Sequence, residues 1–453
     1  MRRIAFLAFV VTTLSMWLAE AHAAPVDRGE RTHASRGSFD LAIGGIGISF
    51  GNSPRFTGLR FNLVDRDIEA ITGLNLTFWK PGESPNGAIR GIAAGLYGPQ
   101  ADEIEGLSLG VCGVVGGSRI SGLSAAGLGV VGEGDINGLA IGGLAVVTDG
   151  TASGILVGGL ASVIEGGASG IAIGGLASVV EGTMSGLSWG GLASVTEGRL
   201  TGISVGGLAS VVEGNASSIC AGGLASVVEG DATGIMLGGL ANVVEGDFSG
   251  LHVSGLANVC EGNMSAVSVA GLSTVALRGF SGLSLSGLLA YADDNIDGIT
   301  LTGGAVVSGR DISGIAAGGI GTIYGPESQG GDEDGHFKLS YAGIKARSAR
   351  WLIIHGVDIG VATRLEGLAA AGLSARAAEI SGAAVAGALV KAHDLNGFAA
   401  GAVTYFDNSQ VGLTIGIVNV ARRLNGIQLG IINIARNNAA PFKVLPIINA
   451  HFE

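Results

Sequence analysis

From Gly106 to Ser313 the chain repeats a 16-residue unit thirteen times without an insertion or deletion. Successive units read GILVGGLASVIEGGAS from Gly154, GIAIGGLASVVEGTMS from Gly170 and GISVGGLASVVEGNAS from Gly202. One such unit cannot fold alone, because burying its few aliphatic side chains falls short of the conformational entropy lost on ordering it. Neighbouring units must supply the missing contacts and backbone hydrogen bonds, which defines a repeat architecture.

Columns within the unit, counted from its opening Gly, show how it is built. Position 2 is aliphatic (Ile155, Ile171, Leu187, Ile203) and position 4 is apolar (Val157, Ile173, Trp189, Val205). Position 3 varies freely (Leu156, Ala172, Ser188, His252). This period-two alternation predicts a strand that packs positions 2 and 4 and presents position 3. Position 6 is Gly, position 7 Leu and position 10 Val, while positions 12 and 13 are usually Glu and Gly. Each unit therefore reads as a short strand, a glycine corner, a second short strand and a turn. Composition agrees. Gly is 83 of 453 residues, yet 47% of the chain is hydrophobic, far too much for a disordered segment. A strict Gly-x-y triplet, the mark of collagen, does not occur.

Two all-β architectures fit. In a parallel β-solenoid of about 16-residue coils every unit is equivalent by translation, and like residues stack about 4.8 Å apart. In an up-and-down outer-membrane β-barrel each unit would be a strand plus a turn, with alternate turns on opposite sides of the membrane. Near-identical turns argue for the solenoid. So do the aromatics of the strict array, limited to Trp189, Phe248, Phe280 and Tyr291 and too few for two girdles. The apolar character of the chain and its ending VLPIINAHFE keep the barrel as the alternative.

The N-terminus reads as a secretory signal at residues 1–23. Arg2 and Arg3 precede an apolar run from Ile4 to Leu18, and Ala21-His22-Ala23 offers a cleavage site. The run is shorter than the roughly 20 residues a membrane helix needs. Removing Arg2, Arg3 and Glu20 takes the formal net charge from −12 to −13, which argues against nucleic acid as a partner. A polar leader follows at 24–39, then degenerate repeats or a cap at 40–105, with units opening at Gly58, Gly73 and Gly87. The strict array occupies 106–323. Residues 324–350, with GPESQGGDEDGH, read as an inserted acidic loop. Degenerate repeats opening at Gly367, Gly382, Gly397, Gly412 and Gly426 and a cap complete the division at 351–453. Cys112, Cys220 and Cys260 are odd in number and irregular in spacing, so they read as small apolar side chains rather than a disulfide framework.

SFGNSPRFTGLRFNLVDRDIEAITGLNLTFW near the start and GLTIGIVNVARRLNGIQLGIINIARNN…LPIINAHF at the end bracket the repeats. Together with the repeats, they resemble a family of uncharacterised exported surface-repeat proteins of Gram-negative bacteria. The resemblance implies an envelope location, no known catalytic activity and no functional residues to carry over.

The acidic column is the main chemical feature. Glu165, Glu181, Glu197, Glu213, Glu229, Glu245 and Glu261 recur at position 12, preceded by Glu133 and Asp149. Stacked in a solenoid they form a solvated acidic edge, and they are the candidate ligands for a cation such as Ca2+. Identical neighbours around every carboxylate leave no distinct acid and base for catalysis. Asp332-Glu333-Asp334-Gly335 lacks the closing ligands of a calcium loop. The seven histidines never fall at metal spacing. A cluster of unlike polar groups could form only near Arg347, Arg350, His355 and Asp358. The chain is thus expected to be a non-enzymatic structural or interaction protein of the cell envelope, offering its acidic edge and position 3 residues to an envelope or surface partner or to its own copies. Contact with a membrane is expected only of the barrel.

Overall fold

The computed structural model describes residues 37–43, 46–82, 87–319 and 344–452. The proposed signal, most of the proposed leader and most of the proposed acidic loop lie outside them. The chain divides into two compact units, Met1–Gly191 and Leu192–Glu453, and both are parallel β-solenoid.

From Ala152 to Ser308 each coil contains a seven-residue strand from position 15 of one repeat to position 5 of the next, and a four-residue strand over positions 8–11. Ala152–Gly158 and Ala161–Ile164 are one such pair. The long strand pairs in parallel with Ala168–Gly174, Gly154 opposite Gly170 and Ile155 opposite Ile171. The short strand pairs with Ala177–Val180. In the second unit Leu200–Gly206 meets Ala216–Gly222 in the same zero-shift register. Corners bond to corners as well: Leu176 N donates to Leu160 O at 2.7 Å, and Glu181 N to Ile164 O at 2.9 Å. An up-and-down barrel needs antiparallel neighbours, so this parallel stacking excludes it.

Burial reverses the expected faces. Positions 3, 9, 11 and 15 point inward: Leu156, Ser162, Ile164 and Ala168 are buried. Positions 2, 4 and 7 point outward, with Ile155 41% and Leu160 44% exposed. The expectation that position 3 is presented at the surface is therefore wrong. Alternation says only that two faces differ, and the aliphatic one was assigned to the core. The two strands of a coil back closely onto each other. Ser188 Oγ donates to Ser178 Oγ at 3.0 Å, and Ser204 reaches both Ser194 and Ser210. Small and polar residues suit that gap. Outward aliphatics instead lose water along the stack, each covered by its equivalents above and below. Position 15 carries the larger core side chains, among them Met184, Leu200, Phe248 and Phe280.

Two glycine columns make the close stacking feasible. Gly170 at position 1 has φ +119°, and a Cβ there would sit 2.1 Å from Gly154 O. Gly175 at position 6 would bring a Cβ within 1.9 Å of Gly159 O. Trp351 takes the position 1 slot between Gly314 and Gly367 at φ 84°, a strained backbone for a bulky residue.

The looser copies also form coils. Gly58 pairs with Gly73 and Gly73 with Gly91, so the third opening glycine is Gly91 rather than Gly87. Gly367, Gly382, Gly397, Gly412 and Gly426 align in turn. Residues 344–350, read from sequence as loop, lie in the strand Ile344–His355, which pairs with coils on both sides. Both ends of the sheet reverse direction. Ser38–Ile43 is antiparallel to Ile46–Gly51, and Val444–His451 is antiparallel to Val418–Ala435. These strands cover edges that would otherwise accept another chain.

Gly175→Ala should destabilise the protein by roughly 1–3 kcal/mol, because the backbone carbonyl it meets, Gly159 O, belongs to the preceding coil and cannot yield alone. Gly167→Ala, whose Cβ meets nothing closer than Thr183 O at 3.3 Å, should cost far less. Comparing chemical-denaturation midpoints of the two variants checks this.

Candidate functional surface

Outward positions define the exterior of each coil. From Leu192 to Val307, positions 2, 4, 7, 8 and 10 carry no charged residue. Leu208, Leu224, Leu240, Leu256, Leu272 and Leu288 stand in one exposed column at position 7. Beside this ridge runs an open apolar trough of about 660 Å³, walled by Val205, Ala221, Leu237 and Val253 at position 4 and floored by glycines such as Gly207 and Gly223. The first unit has an equivalent trough of about 620 Å³, walled by Leu76, Ala94, Leu109 and Ala125.

Charge gathers on the opposite edge, in the turn over positions 12–14. Glu165 and Glu181 of the first unit are exposed there, and so are Glu197, Glu213, Glu229, Glu245 and Glu261 of the second. Their backbone amides are spent on the neighbouring coil, as when Glu229 N donates to Val212 O at 2.9 Å. Among the described residues no group of three His, Cys, Asp or Glu side chains is placed to hold a metal ion. The signal missed in the sequence lies two positions further on. At position 14 an Asn or Asp side chain accepts the amide of the next coil. Asp231 N donates to Asn215 Oδ1 at 3.0 Å, Asp247 N to Asp231 Oδ1 at 2.9 Å and Asn263 N to Asp247 Oδ1 at 2.7 Å. In the first unit Asp135 accepts both the hydroxyl and the amide of Thr151, which hold its carboxyl below the usual range. These residues splice coils together, each side chain bonding the backbone 16 residues further on.

Polar groups are more concentrated inside. In the second unit position 9 runs Ser194, Ser210, Ser226, Asn242, Asn258 and Thr274, all buried. Asn242 Nδ2 donates to Asn258 Oδ1 at 3.1 Å, and Asn258 Nδ2 to Ser268 Oγ at 2.9 Å. His252 at position 3 is fully buried and stacks on Phe248 at 4.4 Å, and neither ring nitrogen has a hydrogen-bond partner. Burial alone pushes its pKa down to about 3, so it is neutral at ordinary pH. Burial likewise raises the thiols of Cys220 and of Cys260, the latter to about 11, so both stay protonated and poorly reactive. All three cysteines are free, Cys112 being half-buried.

The densest cluster lies near the N-terminal end and was not anticipated. Arg60, at position 3 of its coil, is fully buried and forms an ion pair with buried Asp65. Arg60 Nη1 also donates to Asn75 Oδ1 at 2.7 Å, and Arg60 Nη2 to Asn52 Oδ1 at 3.0 Å. Asn62, Asn75 and Thr77 donate to the Asp65 carboxylate. Next to it Asp40 accepts from Ser49 at 2.6 Å and Ser53 at 2.7 Å, and these bonds lower its pKa. Arg60 and Asp65 are closed to solvent, so the cluster ties coils together rather than offering a site. The one signal in sequence is a permanently charged residue at a position that carries none in the strict units.

The four residues near the inserted segment do not converge. Arg347 pairs with Asp311 at 3.2 Å, and Arg350 with Glu366 at 3.5 Å, both exposed. Asp358 accepts from Ser374 Oγ at 2.6 Å. His355 is buried; its Nε2 lies 3.1 Å from Gly304 O, and its Nδ1 accepts from Val357 N at 3.0 Å. Nε2 therefore carries the proton, and the ring is a structural bridge. Asp332, Glu333 and Asp334 lie outside the described residues.

No family model, curated protein or solved structure matches the chain.

His252 makes stability pH-dependent. Between about 3 and its ordinary value of 6.5 the unfolded chain takes up a proton that the folded chain refuses. Stability is therefore lost as pH falls below 6.5. His252→Met, copying Met236 one coil earlier, should reduce the loss between pH 7.5 and 4.5 by up to about 2–3 kcal/mol, read as a smaller drop in Tm. Asp65→Ala strands a buried guanidinium and should cost about 3–5 kcal/mol. Hydrogen exchange should show the loss concentrated in residues 46–95.

Proposed function

We propose that this chain is a non-enzymatic structural or interaction protein of the bacterial cell envelope that acts through its outer surface. The observation that carries this reading is the disposition of side chains. Each coil spends its polar groups on its own interior and on one edge, and turns aliphatic columns outward over the rest of its perimeter. An exterior of that kind suits association, since broad exposed apolar surfaces mark interaction sites. Many buried polar groups of the repeats bond to like groups of neighbouring coils, as Asn242 does to Asn258, unlike the distinct acid, base and nucleophile that catalysis combines. The envelope location rests on residues 1–23, whose basic start, apolar run and Ala-His-Ala have the order of a cleavable export signal. The acidic edge would keep the exported protein from unspecific clumping.

Expression of the full chain in a Gram-negative host tests the proposal. The mature protein should begin at Ala24 and appear in the envelope or periplasmic fraction. An uncleaved chain retained in the cytosol would overturn it.

A further inference from the structure

The leucine ridge and the glycine-floored trough of the second unit lie side by side, since each position 7 Leu directly follows the position 6 Gly of the floor. Both run along the stack with the same coil-to-coil repeat of about 4.8 Å. A ridge beside a trough is self-complementary under one operation. A two-fold axis running along the stack exchanges left and right while turning the surface over. Each copy's ridge then lies in the other's trough, and the repeats stay in step along the whole contact. An axis across the stack would set ridge against ridge. We propose that this surface binds a second copy of the chain in that parallel arrangement. The pairing deepens the interaction role proposed above but does not depend on the envelope location.

Three observations select a second copy as the occupant. Position 7 is Leu in every unit from Leu128 to Leu288, and position 10 is Val from Val115 to Val275. Buried position 3 meanwhile ranges over Leu, Ala, Ser, Cys, Met, His and Thr. The position 7 and 10 columns are thus more uniform than the core, while the trough wall at position 4 varies among Val205, Ala221 and Leu237. A fluid hydrocarbon layer would require only apolarity and would accept Ile or Phe in place of Leu; a fixed shape at every step suits a partner with the same step. Second, the surface carries no charge from Leu192 to Val307, and the acidic column sits on the far edge, so two copies meet without opposing carboxylates. Third, ridge and trough are equal in period and adjacent, the condition for an isologous contact.

Leu224 and Leu240 are 47% and 46% exposed, so the double variant Leu224→Glu/Leu240→Glu should still fold, as an unchanged β-type circular dichroism spectrum would verify, with a lower Tm because the column stacking and the dimer are both lost. Sedimentation equilibrium of the purified mature chain should show a dimer. In the double variant dimerisation should weaken by roughly 100-fold or more. Mixing it with an Ala221→Lys/Leu237→Lys chain, which places cations in the trough, should restore a heterodimer that neither variant forms alone. A wild-type chain that stays monomeric, a dimer indifferent to the double variant, or a monomer that instead floats with phosphatidylcholine vesicles would each overturn the pairing. None of these results depends on export, so a failure here is separate from a failure of the envelope assignment.

Discussion

Zero-shift parallel hydrogen bonding between coils is the interaction on which everything else in this protein rests. A coil has almost no internal sheet; its strands, its corners and its turns are satisfied by the equivalent atoms of the coils before and after it. That requirement admits glycine alone where a Cβ would strike the neighbouring coil's carbonyl, as at Gly175. It also explains the side-chain ladders. Once backbones are locked residue over residue, Asn215, Asp231, Asp247 and Asn263 can extend the same bonding scheme outward from the main chain.

Much of this architecture was legible in the sequence. The unbroken period and the near-identity of the turns pointed to translation rather than to alternation of strand direction, and the parallel register bears that out. The orientation of the strands was not legible. Ile155 and Val157 look like core and Leu156 like a variable exterior, because hydrophobicity is the usual guide to the inside. In a thin coil the guide fails. Much of the apolar burial happens between coils, along the outer columns, while the narrow interior selects for size and accepts Ser178, Asn258 or His252. The degenerate ends were partly legible. Gly87 looked like an opening residue by spacing alone, but the register is held by Gly91. Arg60 and Asp65 fall where the repeat has already decayed, so no column marked them as partners.

A core that mixes Ser and Asn with Val, Met and Phe, under an exterior rich in aliphatic columns, departs from an ordinary soluble domain, and it changes what stability depends on. Hydroxyls and amides such as Asn242 and Thr274 compete for few partners in a confined gap, and several, including Ser226 and Ser284, find none among the described residues. Such groups add little net stability, but they penalise a slipped coil, because a shift by one residue would set aliphatic Val227 where Ser226 now lies. The interior therefore contributes to choosing the register, and the exterior columns to holding it.

Because equivalent atoms meet across every step, the number of repeats is not fixed by the fold. Excision of any 16 consecutive residues within the strict array rejoins equivalent positions, so the parallel backbone register can be kept. Unequal recombination among the near-identical stretches of the coding sequence would thus yield shorter and longer folded proteins. Each would differ in extent by about 4.8 Å per unit, a graded dimension on which selection could act without ever passing through an unfolded intermediate.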